Sequence, residues 1–350
     1  MYDKVITFSI AAYNIEKYID KCVGSILETE RYGDIEILII DDGSSDKTAD
    51  IARDYEKRYP DTVRLISKKN GGHGSTINTG IKEARGRYFR VIDGDDWVDP
   101  KDTGKLVEKL RSENSDVVLC NFYDCYNSGP KKNTTYSVLE DGRVYSMRQI
   151  NSLIGWMRYH AVVFRTDILR NNDIVLDEHC FYVDTELMVL SVPYISSIKY
   201  YDLFVYCYRL DNEGQSVSES SRMKNILHSK RVSLRLLKYY RLTAPTLDDD
   251  KKKYMTGGIA GPCMWHFRGL TFFAPDENKR KELVRFDRYV KRISPEIYNT
   301  MTTPALNRSE KDAKLIKLLR KCNYKLYNTY GFYKKTKGKI KDFIKKNNNF

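Results

Sequence analysis

Apolar runs of strand length and amphipathic runs of helical length take turns through the first 122 residues, and no other feature limits the fold so strongly. "VITFSIAA" (5–12), "IEILII" (35–40), "VRLIS" (63–67), "RYFRVI" (87–92) and "DVVLCNF" (116–122) read as strands. Between them, helical spacing places Ile15, Tyr18, Ile19, Cys22, Val23, Ile26 and Leu27 on one face, with Asn14 placed to cap that helix. Further helices are predicted over about 47–59, ending before Pro60, over 75–84 and near 101–112. Alternation at this spacing demands right-handed crossovers and therefore a mainly parallel sheet.

Such sheets bind ligands outside the carboxyl ends of their strands. Here those ends are polar: Tyr13-Asn14 after the first strand, Asp41-Asp42-Gly43-Ser44 after the second, and Asn70-Gly71-Gly72-His73 after the third. The fourth runs into "VIDGDDWVDP" (91–100), four aspartates within seven positions. Carboxylates this dense repel one another. Asp93 and Asp95, with Asp96 beside them, suit a hard cation such as Mn²⁺ or Mg²⁺ that bridges to substrate phosphates. An acidic turn in solvent is the plain alternative. One of Asp41 or Asp42 should point into the crevice and accept from a ring N–H or a ribose hydroxyl. Ser44, Ser45 and Asp46 can instead serve as helix caps.

With 41 % hydrophobic residues the chain has enough apolar surface for a core and is not a disordered type. Its seven cysteines form no C-x-x-C pair, which argues against a zinc site and a disulfide framework. No basic–apolar–small leader precedes the first strand, and no apolar run nears the ~20 residues of a membrane span, so the expected location is cytoplasmic. Residues 310–350 hold 13 Lys/Arg against 3 Asp/Glu, ten of the +13 net charges. Within that tail, Ile340, Phe343 and Ile344 share a face among lysines. Residues 334–346 therefore read as an amphipathic helix for an anionic membrane surface, at the inner face of the plasma membrane, or as a solvated helix packed on the protein. No nucleic-acid-binding module is present. The oligomeric state is left open.

Taken in order, "SIAAYNIEKYIDKCVGSIL", "EILIIDDGSSDKTADIARDY" and "NGGHGSTINTGIKEARGRYFRVIDGDDWVDP" resemble the family 2 glycosyltransferases, whose fold is called GT-A. The resemblance is strong over residues 4–122 and extends to about 210. It implies an α/β nucleotide-binding fold and inverting transfer of a hexosyl or N-acetylhexosaminyl group. The implied donor is a nucleotide-diphosphate sugar, usually a UDP-sugar. The implied acceptor is a glycan, polyol-phosphate or lipid-linked hydroxyl of a bacterial cell-surface polysaccharide. By the same resemblance Tyr13 stacks on the base, Asp41 or Asp42 contacts its ring N–H, and Asp93 and Asp95 form the metal-binding D-x-D. The candidate donor site is Ala11, Tyr13, Asn14, Asp41, Asp42, Asn70, Gly71, His73, Asn78, Asp93, Gly94 and Trp97; Trp97 either lines the sugar site or packs in the core. Two positions depart from the family pattern. Ala11 stands where the family commonly has Pro, and Ile77 stands where it has Arg before Asn78. Contacts made by that Arg would fall to His73, Lys68 or Lys69.

Displacing a nucleotide diphosphate by a hydroxyl requires a base. "LDEHCFYVDTELMVL" (176–190) resembles the family's "ED" element, with Val183 in the Glu position and Asp184 as the base. Asp184 also fits as the cap of a helix over 185–191; Glu178, Asp177 and His179 are the other bases at hand.

Two alternatives belong to different classes. A nucleotidyltransferase would attack phosphorus, but its Gly-rich basic loop is missing from "AYNIE" (12–16). A non-catalytic scaffold would have lost the acidic cluster, which is intact. The expected division is a GT-A domain over 1–220, with a donor half (1–122) and an acceptor half (123–220). A helical region follows over 221–350, with breaks at Gly257-Gly258 and near Pro304. Residues 123–146 read as a hairpin or excursion.

Overall fold

The fold is built outward from β1 (Lys4–Ala12), whose residues 6–10 are fully buried apart from the 2 % exposure of Ser9. A computed structural model describes residues 2–126, 132–134, 136–210, 225–272, 276–303 and 310–327. β2 (Ile35–Asp41) pairs parallel on one side of β1, from Ile6↔Ile35 to Ala12↔Asp41. β4 (Gly86–Asp93) pairs parallel on the other, from Lys4↔Gly86 to Ala11↔Asp93. β3 (Val63–Ser67) adds to β2. This register brings Ala12, Asp41 and Asp93 to one edge of the sheet.

The helices between these strands are α1 (Ile19–Leu27), α2 (Thr48–Arg58), α3 (His73–Glu83) and, after the two-residue β5 (Trp97–Val98), α4 (Pro100–Leu110). Asp99 caps α4 through the Asp102 N–H, with Pro100 at the first position. α1 starts four residues later than helical spacing suggested, and Asn14 does not cap it. The N-cap is Tyr18, without a side-chain bond. Asn14 instead sits at φ 52° and accepts from the Ser45 N–H at 2.8 Å, so it ties two loops together.

β6 (Val117–Cys125) continues the sheet, followed by β7 (Lys132–Thr134), which pairs antiparallel with it as a hairpin, and β8 (Val144–Tyr145). α5 (Met147–Leu153) opens on a capping box from Ser146 and Gln149. Then come β9 (Val162–Arg165), α6 (Thr166–Arg170), α7 (Val183–Leu190) and β10 (Ile198–Arg209). The sheet order is β3-β2-β1-β4-β9-β6-β10-β5. β9 lies antiparallel to both β4 and β6, so the sheet is mixed: a parallel block of four strands, one reversed strand, then the parallel β6–β10 pair.

The remaining helices are α8 (Ile226–Thr243), α9 (Asp249–Phe272), α10 (Glu277–Ile293), α11 (Pro295–Thr300) and α12 (Glu310–Lys321). The chain divides into two compact units, Met1–Gln215 with Asp248–Tyr254, and Ser216–Leu247 with Met255–Phe350. The break expected at Gly257-Gly258 does not occur: α9 runs through both glycines and Pro262. Its Met255, Ile259, Ala260, Cys263 and Phe267 are buried, and that burial outweighs the weak helix propensity of Gly and Pro. In the second unit, Arg320 meets Asp287 at 2.7 Å, both nearly buried. The break near Pro304 and the tail at 334–346 lie outside the described residues. No helix among the described residues is long and apolar enough to cross a membrane.

Candidate active site

The crevice floor is made by the loops that leave β1 to β4. Asp42, 2 % exposed, accepts from the N–H groups of Gly71 at 2.9 Å and Gly72 at 2.7 Å, and from Lys68 Nζ at 2.8 Å. Its carboxylate therefore folds the Lys68–Gly72 loop over β2. Gly72 stands at φ +81° with a Cβ position 3.2 Å from the His179 backbone, so only glycine fits there without strain. Asn70 donates to the Asp42 carbonyl, and Lys68 also reaches Ser75 and the Lys69 carbonyl. Lys68 is thus turned inward. Ile77, in the position where the family resemblance expected Arg to precede Asn78, is fully buried. Asp41, 3 % exposed, accepts from the Ser44 N–H. Tyr13 is 53 % exposed at the end of β1, a flat ring open to a partner.

The acidic turn follows β4. Its tightness depends on Gly94, whose N–H donates to the Ala11 carbonyl; a Cβ there would lie 2.4 Å from Ile15 Cδ1 and 2.7 Å from the Ala11 oxygen. Two residues of β10 clasp the turn from the other side. Tyr206 Oη accepts from the Asp93 N–H at 3.1 Å and donates to Asp96 Oδ2 at 2.6 Å. Arg209 donates its N–H to Asp96 Oδ1 at 2.6 Å and its Nε to the Asp95 carbonyl at 2.7 Å. Burial, with the charges of Asp93 and Asp95, pushes the Asp96 carboxyl well above the ordinary carboxylate range, against the pull of those donors. Arg90, 1 % exposed, adds a buried positive charge beside the Tyr206 ring.

The cluster fits a divalent cation. Asp93, Asp96 and His160 each bring one ligand atom within 4.8 Å of the others, and Asp95 adds a carboxylate next to them. Burial holds His160 neutral, its pKa pushed down to about 4, and its ring stacks on Tyr208 at 4.1 Å. Repulsion among the carboxylates is the stress a bound cation would relieve. Trp97 is placed differently: Lys21 lies 3.4 Å and Arg209 4.8 Å from its ring centroid, and it lines a recess with Asp20, Lys21 and Glu28.

Tyr206→Phe tests the clasp. It leaves a buried Asp96 oxygen and the Asp93 N–H without their partner. The expected loss is about 1–3 kcal/mol of unfolding free energy in a denaturant titration, with the sheet intact by circular dichroism.

The third part comes from α3 and α7. His73 opens α3, with Nε2 3.1 Å from Asp93 Oδ1. Burial alone would lower its pKa, but the bond to Asp93 and the charges of Asp93, Asp184 and Asp42 raise it. Asp184 sits in the first turn of α7 and is not its cap; that position belongs to Tyr182, at φ 70°. Burial pushes the Asp184 carboxyl up, the charge of Asp93 adds to this, and the Thr185 N–H and His73 act against it. The segment leading to α7 is pinned to α3. Asn78 exchanges two hydrogen bonds with the Leu176 backbone, at 3.0 and 2.7 Å, and so serves this loop rather than the crevice. Buried Glu186 accepts from the Asp177 N–H. Glu178 and His179 are exposed.

The structure thus gathers Tyr13, Asp41, His73, Asp93, Asp95, Asp96 and Asp184 along the strand ends. It gives Asn14, Asp42, Asn70, Gly71 and Asn78 loop-holding contacts. Sequence reading missed His160, Tyr206 and Arg209. The run "YCYR" (206–209) ends a strand in alternating aromatic and basic residues, but nothing local ties it to an acidic turn 110 positions earlier.

Comparison with known proteins agrees with this geometry. Residues 7–172 match the family model described as "Glycosyl transferase family 2". The chain is 29 % identical over 214 residues to EpsJ of Bacillus subtilis (strain 168), described as an uncharacterized glycosyltransferase, covering 59 % of this chain and 61 % of EpsJ. It is 27 % identical over 254 residues to the chondroitin synthase of Escherichia coli, covering 71 % of this chain and 36 % of that protein. The chain spans less than two thirds of the length of either relative. Among solved structures, S. aureus TarS 1–349 in complex with UDP-GlcNAc is similar at a TM-score of 0.62 and 18 % identity, covering 95 % of this chain and 92 % of that one. At that identity the likeness speaks to the fold, which is GT-A with a helical C-terminal region.

Proposed function

We propose a specific reaction for a chain that belongs, through residues 7–172, to glycosyl transferase family 2: inverting transfer of a sugar from a nucleotide-diphosphate donor, a UDP-sugar, to a hydroxyl of a glycan, polyol-phosphate or lipid-linked acceptor. The observation that carries it is the meeting of Asp93, His73 and Asp184 beside the acidic turn. There a metal-binding carboxylate and a carboxylate of raised pKa act on one imidazole.

In this reading Tyr13 is the stacking surface for the base, and Asp41 is the nearest carboxylate to its ring N–H. A divalent cation, Mn²⁺ or Mg²⁺, held by Asp93 and Asp95 with Asp96 bracing them, supplies positive charge to the departing diphosphate. Asp184 takes the proton from the acceptor hydroxyl as the new bond forms. Its raised pKa makes it a stronger base than an exposed aspartate. His73 fixes Asp93 and offsets negative charge between the two carboxylates. The UDP preference draws support from the UDP-GlcNAc bound in the TarS structure.

The test is release of nucleoside diphosphate from a panel of UDP-sugars, with Mn²⁺ or Mg²⁺ and candidate acceptors. The expected result is diphosphate release with one donor, abolished by a chelator. Release of inorganic pyrophosphate instead would make the protein a nucleotidyltransferase, and no release from any donor would sink the reading.

A further inference from the structure

The second compact unit carries a charged groove that the donor chemistry does not use. Arg280, Lys281, Arg285, Arg288 and Arg292 of α10, with Asn323 beyond α12, line a recess of about 660 Å³. α10 holds seven basic and three acidic residues. The acids are all engaged. Glu277 binds Arg280 at 3.0 Å, Glu282 binds Lys230 at 2.7 Å, and Asp287 is held by Arg320. Lys281, Arg285 and Arg288 are exposed and have no carboxylate partner among the described residues. The like charges are therefore left facing solvent together, a cost that an anionic ligand would remove.

The shape and chemistry narrow the ligand. Lys281, Arg285, Arg288 and Arg292 follow helical spacing, so they form one stripe about 16 Å long at 1.5 Å per residue. That exceeds the reach of a single phosphate. Guanidinium groups dominate, and their planar forks suit phosphate oxygens in pairs. Tyr289 and Val284 are half-buried, so the stripe offers no exposed large apolar group to insert into a bilayer. We infer that this groove binds a linear polymer carrying regularly spaced phosphate groups.

The experiment uses the full chain and long-chain inorganic polyphosphate as probe, with binding read by fluorescence anisotropy at about 0.1 M salt. R285A/R288A should bind at least tenfold more weakly than wild type. K57A/K101A, which removes two exposed lysines from the first unit, should stay within twofold. Thermal melts should show all three proteins equally folded. Equal loss in K57A/K101A, or unchanged binding by R285A/R288A, overturns the inference. Competition by inorganic phosphate as strong as by the polymer reduces the groove to a single-anion site and overturns it too. So does recruitment to phosphatidylglycerol-rich vesicles that depends on Arg285 and Arg288 while polyphosphate binding does not; that outcome makes the surface a membrane dock. The measurement needs no donor, so it stands apart from the transferase test.

Discussion

Asp184→Asn should keep donor binding and cut transfer by about 10²–10⁴-fold, the usual contribution of a general base. Asparagine keeps the size of the side chain and cannot accept a proton near neutral pH. The helix should survive, because Tyr182, not residue 184, occupies the cap position of α7. The pH profile adds a second readout. A base works only when deprotonated, so wild-type transfer should fall as pH drops through the pKa of Asp184. Burial and Asp93 raise that pKa, so the acid limb should lie above the range of an exposed aspartate. Residual transfer by Asp184→Asn should lack this limb. A loss under about tenfold, with the limb retained, would hand the role to another group such as Asp177 or Glu178.

Asp95→Ala should abolish metal-dependent UDP binding while the protein stays folded. At least a hundredfold weaker binding is expected in the presence of Mn²⁺, about 2.7 kcal/mol at 1.4 kcal/mol per decade. The side chain is removed without touching the clasp, because Arg209 Nε binds the Asp95 backbone carbonyl and Tyr206 binds Asp93 and Asp96. Asp95 is also one of the charges that push Asp96 up. Its removal should therefore raise the melting temperature of the metal-free protein at neutral pH, or leave it unchanged. Titration calorimetry with UDP, with and without Mn²⁺, checks the first part. Undiminished binding in Asp95→Ala would end the metal reading.

The parallel block was legible because its evidence is local. Each of β1 to β4 is a short apolar run with a polar terminus, and a parallel sheet places those termini on one edge. The reversed β9 was not legible. "VVFR" (162–165) is four residues long, and its direction is fixed by pairing with β4 and β6 rather than by its own pattern. The two loop aspartates show the same limit within the site. Sequence placed Asp41 and Asp42 together at a strand end. Only the packing of Gly71, Gly72 and Lys68 shows that Asp42 shapes a loop. Helix continuity through Gly257, Gly258 and Pro262 was misread for a related reason. Propensity is weak, and burial of one face of α9 decides. His160 gives no local signal, since a lone histidine after a tyrosine reads as an ordinary core residue.

The clasp of Tyr206 and Arg209 on the acidic turn bears on how this protein can be re-engineered. A natural plan for changing the acceptor would keep residues 1–122 and graft everything after them from another transferase. That junction severs the turn from the strand that holds it. The graft would import a foreign β10 and, with it, whatever side chains then face Asp93 and Asp96. Such a hybrid changes the donor end of the catalyst while intending to change only the other. Crossover points that leave the cation-binding turn as it is therefore lie beyond Arg209. Exchanges confined to the hairpin between β6 and β8 keep both sides of the turn from one parent.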